Sequence, residues 1–279
     1  MRRASSILGL AVLALALLSC ARTFNYVDPS TPRYANSRQA PADPEPAIRI
    51  VSFNIQYSRH IDEAIHLLQE DPQLRDADLV LLQEMDEVGT ERIADALSFN
   101  YVYYPAVLHP TPKHDFGNAI LSRWPIRDDR KIILPHLAML RKSQRIATAG
   151  TVTIQGLPVR VYSLQLALPF LVSGKGRREQ LETVLADTLG GPERVIIAGD
   201  LNSHGIGDVI ARAGFSWPTE HLGATSHHLD LDHIFVKGFL PAGEPAAGAV
   251  HDNRGASDHR PVWTVVVPDT TKTGPDRGI

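Results

Sequence analysis

Hydrophobic positions along the chain fall into two kinds of run. Strand-length apolar stretches recur: IRIVSFNI (48–55), DLVLLQE (78–84), FGNAILS (116–122), ATAGTVTI (147–154), VRVYSLQL (159–166), RVIIAGD (194–200), LDHIFVKG (231–238) and RPVWTVVV (260–267). Several are apolar on both faces, the pattern of strands in sheets covered on two sides. Helical periodicity appears in IDEAIHLLQE (61–70), ERIADALS (91–98) and GRREQLETVLADTL (176–189). Early strands alternate with helices, while the middle reads as hairpins. The mixture predicts an α/β (α+β) fold built in layers, not a purely parallel wound sheet.

The two ends lack this pattern. Arg2 and Arg3 precede an apolar run over 7–18, followed by Ser19 and Cys20. The run is short for a membrane span and reads as an export signal. LLSC resembles a bacterial lipobox, in which the cysteine becomes the lipidated first residue of the mature protein. Ordinary secretory cleavage after Ala21 is the alternative, because Ser19 and Ala21 also satisfy the small-residue rule. Cys20 is the only cysteine, so the chain holds no internal disulfide. Residues 1–20 are therefore expected to be a signal peptide with lipobox. Residues 21–46, with five prolines, are expected to form an extended tether, and 268–279 a disordered tail. One domain is expected between them, over 47–267. The expected location is the bacterial cell envelope, as an exported, membrane-anchored lipoprotein and a monomer.

With 28 Lys+Arg against 31 Asp+Glu, the net charge is −3. That leaves no global basic field of the kind that grips nucleic acid through its phosphates. The chemistry is concentrated at strand ends. SFN ends in Asn54, LLQE in Glu84 and AGDLN in Asp200 and Asn202. Asp232 opens one strand, and Asp258 with His259 opens the last. One such residue is ordinary turn chemistry, since Asp and Asn bond readily to nearby backbone. Together they suggest one functional rim.

SFNI, LLQE, GNAILSRWPI, GDLN, LDHIFV and SDHRPV, in this order and spacing, resemble the endonuclease/exonuclease/phosphatase family of metal-dependent phosphoesterases. The resemblance spans nearly the whole domain, with weaker echoes at Arg145 in QRIATAG and in the RREQL helix. It implies a four-layer sandwich, two mixed β-sheets packed face to face with helices on both outer faces. It also implies hydrolysis of a phosphate ester with Mg2+ (or Mn2+). Glu84 and Asn54 would hold the cation, helped by Asp258, and Asp200 would orient or deprotonate the attacking water. Asn202 would bind a phosphoryl oxygen, while His259, fixed by Asp232, would contact the phosphate. Asn118, Arg145 and Gln165 would line the substrate. Oxygen donors suit a hard divalent cation, whereas zinc would draw on Cys or converging His.

The chain departs from the family at one place. VYSLQLALP puts Leu164 and Gln165 where Thr-His is usual, and a glutamine carries no proton at neutral pH. Two readings follow: an active phosphoesterase, or a catalytically weak phosphate-ligand-binding or scaffold protein on the same fold. The substrate stays open among phospholipid head group, small phosphoester and nucleic acid. His109 and His114 flank a loop at the expected site mouth, His227 and His228 lie in a polar loop, and Trp124 reads as packing. Replacing Cys20 by Ser is expected to move the protein from the membrane to the soluble envelope fraction. Unchanged membrane fractionation would remove the anchor.

Overall fold

The structure, a computed structural model, describes residues 23–39, 47–109 and 114–271. The expected signal peptide with Cys20 lies outside the described residues, as do 40–46 and 272–279. In chain order, β1 (Phe24–Asn25), β2 (Tyr34–Ala35) and β3 (Ile48–Asn54) precede helix α1 (Ile61–Glu70). β4 (Leu79–Met85) leads to α2 (Glu87–Leu97), followed by β5 (Asn100–Leu108), β6 (Asp115–Ser122), β7 (Arg127–Ile133), β8 (Ile146–Ile154) and β9 (Leu157–Gln165). After α3 (Gly174–Asp187) come β10 (Arg194–Asp200), the short α4 (Asp208–Arg212), β11 (Asp232–Lys237), β12 (Phe239–Pro241), β13 (Ala247–Ala249) and β14 (Val262–Pro268).

The larger sheet runs β1-β5-β6-β4-β3-β14-β12, with β2 also on β5 and β13 also on β14. The smaller runs β11-β10-β9-β8-β7. Both are mixed, since β3 pairs with β4 and β9 with β10 in parallel among antiparallel neighbours. Period-two alternation divides the apolar residues into three cores. Ile48, Ile50, Leu79, Leu81, Ile196 and Ala198 meet between the sheets. Val51, Phe53, Val80 and Leu82 face outward and receive Leu67, Leu68 and Ile93 of α1 and α2. Tyr162, Leu164, Val195 and Ile197 receive Leu181 and Val184 of α3 and Ile210 of α4. The expected four-layer sandwich is what the chain builds.

Several features depart from expectation. The tether is not free where it is described: β1 pairs Phe24 with Leu108, and β2 pairs Tyr34 with Tyr103. Arg33 grips Asp129 through two nitrogens at 2.7 and 2.8 Å, and the buried Lys131 ammonium donates to the Tyr26 and Thr31 carbonyls. Backbone pairing needs no hydrophobic period, so these contacts leave no pattern in the sequence. At the other end, Asp269 follows β14 and bonds back to Gly238, carrying the domain past 267. β5 was hidden by Pro105, which sits where the β5–β6 register shifts and no ladder donor is required. Trp124, by contrast, packs as expected, buried in the inter-sheet core.

His233 occupies the outer face of β11, fully buried and edge-on to Trp217 at 5.0 Å. Burial pushes its pKa down from 6.5 to about 4. As pH falls below about 6.5 the unfolded chain binds a proton that the folded ring refuses until about pH 4. This contribution to stability is therefore complete above about 6.5 and lost on descending to about 4. Relative to His233→Phe, the wild-type unfolding free energy in urea should decline across that window. Parallel pH profiles for the two proteins would refute the assignment.

Candidate active site

The same alternation that fills the core carries the polar strand ends into one cleft. On β10, Ile196, Ala198 and Asp200 point between the sheets. The β9 and β11 registers place Gln165 and Asp232 directly beside Asp200. Asn54 ends the inward series of β3 and meets Asp200 from the opposite sheet, Nδ2 to Oδ2 at 3.2 Å. Asn202 turns back through left-handed backbone (φ 52°), donating its N–H to Asp200 Oδ1 at 2.8 Å and Nδ2 to Oδ2 at 3.3 Å. Gln165 Nε2 reaches the same Oδ2 at 3.0 Å and Glu84 Oε1 at 2.8 Å.

Glu84 is the exception to alternation. Leu79, Leu81 and Gln83 point inward, so residue 84 belongs on the helix-facing side. Its backbone instead adopts φ 59°, and the β4–β6 register shifts between Leu82 and Met85. That irregularity turns the carboxylate into the cleft, a recurrent use of bulges. Left-handed backbone at a non-glycine residue costs on the order of 1–3 kcal/mol and is tolerated where surrounding contacts enforce it.

Two charged groups are strongly perturbed. Burial, reinforced by the Asp232 charge, pushes Asp200 up to about 6, against the pull of His259 and the Gln165 and Asn202 donors. Burial disfavours a charged His259, but the Asp232 charge and hydrogen bond, with Asp200 and Asp258 beyond, outweigh it and raise the ring to about 10. His259 Nδ1 meets Asp232 Oδ2 at 2.8 Å, so a charged ring presents Nε2–H to the cleft.

The remaining expected residues divide. Arg145 stands 5.0 Å over the Phe116 ring at the cleft edge. Asn118 points inward, but its Nδ2 donates across the sheets to the Ile146 carbonyl at 2.8 Å, so part of its role is to join them. Asp258 is exposed and meets only Ser257 among the described side-chain hydrogen bonds, at 3.4 Å. His227 and His228 form no three-ligand metal cluster among the described residues.

Sequence reasoning missed three contributors. Thr225 Oγ1 donates to Asp232 Oδ2 at 2.6 Å, and Ser257 Oγ donates to the Asn54 carbonyl at 2.6 Å. Neither stands at a strand end, the signal that exposed the others. Tyr57 lies in a stretch of three left-handed residues (φ 41, 59 and 53° at Gln56, Tyr57 and Ser58) with no glycine to mark it. Its ring lies 5.3 Å from that of Phe116, under Arg145, and its phenol pKa is raised by burial and by the Glu84 charge.

The donor set fits a hard divalent cation. Among the described residues, Glu84 Oε2 and the second lone pair of Asn54 Oδ1 are uncommitted, the first lone pair of Asn54 Oδ1 accepting from Gln56 N at 3.0 Å. Two buried acceptors, Gln165 Oε1 and Asp232 Oδ1, have no donor among the described residues. A cleft lined by surplus oxygen, with one or two protein ligands, suits Mg2+, which keeps several waters, better than zinc.

These strand ends face one another across two sheets in a single cleft. Residues 51–259 match the model of the Endonuclease/Exonuclease/phosphatase family, and the chain belongs to that family. Its fold resembles that of an endonuclease/exonuclease/phosphatase from Beutenbergia cavernae (21% identity, 80% of this chain and 72% of that chain, TM-score 0.60). It also resembles one from Bacteroides vulgatus (14%, 80% and 99%, TM-score 0.66). The human Nocturnin catalytic domain with bound sulfate is a further structural relative (19%, 81% and 96%, TM-score 0.61). No curated protein matches the chain.

Gln165 bridges two carboxylates from opposite sheets. Gln165→Leu keeps the approximate volume and removes the donor, and should cost about 1–3 kcal/mol of stability in urea unfolding. A variant as stable as the wild type would show that the bridge contributes nothing to the fold.

Proposed function

We propose that this protein is a Mg2+-dependent hydrolase of phosphate ester bonds, exported and held at the cell envelope through a lipid on Cys20. Family members are hydrolases of phosphoester bonds. The observation that carries the reading for this chain is the Asp200 carboxylate, buried and held by amide donors from three separate segments. Glu84 and Asn54 would hold the cation, with Asp258 at the rim. When bound, the cation would supply Lewis-acid stabilisation of charge on the phosphoryl and leaving oxygens.

The chain's own groups account for the rest. Asp200 accepts the proton of the attacking water, its raised pKa making it a stronger base than an ordinary carboxylate. Its hydrogen bonds fix the direction of attack. His259 donates Nε2–H to a phosphoryl oxygen, and Asp232, itself held by Thr225, keeps that ring charged and aligned. Gln165 commits its amide hydrogens to Glu84 and Asp200, and Asn202 commits its own to the Leu166 carbonyl and Asp200, so both orient carboxylates, while Arg145 brings a fixed positive charge to the cleft edge. Gln165 cannot relay a proton, so departure of the leaving group relies on the positive charges of His259 and Arg145. The alternative reading, a phosphate-ligand-binding or scaffold protein on the same fold, is favoured by the commitment of Gln165 Nε2 to Glu84 and Asp200.

Turnover of a chromogenic phosphodiester separates the two. It should require Mg2+ or Mn2+, stop with EDTA, and return when the metal is restored. Glu84→Gln should weaken the metal-dependent turnover by removing a ligand charge, and His259→Ala should lower turnover by about 10²–10³ with metal affinity nearly unchanged. Activity that survives chelation would exclude the metal mechanism. Metal binding without turnover would favour the binding protein.

A further inference from the structure

Large apolar side chains stand exposed on three segments that hydrogen bonds draw to one rim. Phe170 (68% exposed) lies on the loop after β9, Met139 (63%), Leu140 and Leu137 on the loop between β7 and β8, and Phe24 (61%) on β1. Met139 N donates to the Leu171 carbonyl at 2.9 Å, joining the first two segments. Thr23 N donates to the Arg141 carbonyl at 3.0 Å, and Asn25 Nδ2 to the Lys142 carbonyl at 2.8 Å, joining the third. The middle loop is closed on itself by Ala138 N to the Ser143 carbonyl, and Arg141 and Lys142 take left-handed backbone at its turn. Single exposed apolar residues are ordinary. Apolar tips grouped on tied loops and flanked by basic residues mark an interaction surface.

We infer that this rim docks on an anionic lipid bilayer. Three features choose that occupant. Arg141 and Lys142 lie in the same loop as the apolar tips, matching the negative charge of anionic headgroups. The described chain begins at Thr23, bonded to this loop, only three residues after Cys20 and close behind the apolar run 7–18. Three residues span at most about 10 Å, so a lipid on Cys20 would be attached within that reach of Thr23 and this rim. Both loops also join the candidate site: one starts after Gln165, and the other ends at Arg145. Docking therefore sets the cleft at headgroup level, and, resting on the phosphoesterase reading, makes a lipid headgroup phosphoester the substrate class.

Depth-dependent fluorescence tests the surface in the full-length protein. Phe170→Trp places a reporter on the rim, and Leu240→Trp places one on β12, beside the start of β10 and so at the strand ends opposite Asp200. The native Trp124, Trp217 and Trp263 are buried and supply a constant background. In vesicles of phosphatidylglycerol and phosphatidylethanolamine carrying brominated chains, emission from the rim reporter should fall about twofold or more, with the β12 reporter unaffected. Replacing phosphatidylglycerol by phosphatidylcholine, or making Arg141→Ser with Lys142→Ser, should reduce the quenching. Equal emission at the two reporters, lipid-independent blue shift from self-association, or indifference to anionic lipid would each overturn the proposal. Hydrolysis of a soluble phosphodiester by a protein whose rim reporter stays unquenched would sink the docking surface and leave the hydrolase. A quenched rim reporter with no phosphoester cleaved would do the reverse.

Discussion

A carboxylate removed from water is costly unless donors surround it, and at this rim the surrounding architecture meets that demand for Asp200. Asn54 comes from one sheet, Gln165 from the other, and Asn202 from the turn that follows Asp200 itself. Each donor is useful only if its strand ends at the right residue and in the right register. The packing of the two sheets, the parallel pairing of β9 with β10 and the left-handed turn at Asn202 are thus parts of one requirement. The donors among the described residues are neutral amides, and that choice has a chemical effect. Amides orient the carboxylate without quenching its basicity, whereas an arginine there would hold it as a spectator.

The neighbouring pair is tuned the opposite way. Asp232 sits one strand over, receives Thr225, and lends its charge to His259. Two buried carboxylates a strand apart would repel, and the imidazolium between Asp232 and the cleft relieves that repulsion. Asp200 drifts toward protonation while His259 holds its proton, so a base and a charged donor coexist within one buried network. Burial raises Asp200, whereas for His259 the contact with Asp232 outweighs burial.

Much of this was legible in the chain because strand alternation and strand ends are sequence properties. Asn54, Asp200, Asp232 and His259 stood out as polar residues bounding apolar runs, and the sheets bring them together. Gln165 was legible as a position, and its inward direction follows from the register of β9. The reorientation of Glu84 was not legible, because a bulge is set by the fit of β4 against β6 and leaves no glycine behind. Thr225, Ser257 and Tyr57 were hidden for a related reason: they act from loops whose shape only the assembled sheets define. The docked segment 23–39 escaped notice because backbone pairing and two basic clamps, rather than a hydrophobic period, hold it.

That segment has a consequence for the integrity of the larger sheet. β5 is nine residues long, buried over most of its length, and among the described residues its outer flank pairs with the two-residue strands β1 and β2. A chain cut to begin at Ala47 would keep every residue of the cleft, yet would bare a long, tyrosine-rich edge with unpaired N–H and C=O groups. Such an edge is a template for strand addition from another molecule. The stretch that reads as a mere leash thus also acts as a selvedge, a finished border that keeps one copy of the sheet from knitting to the next.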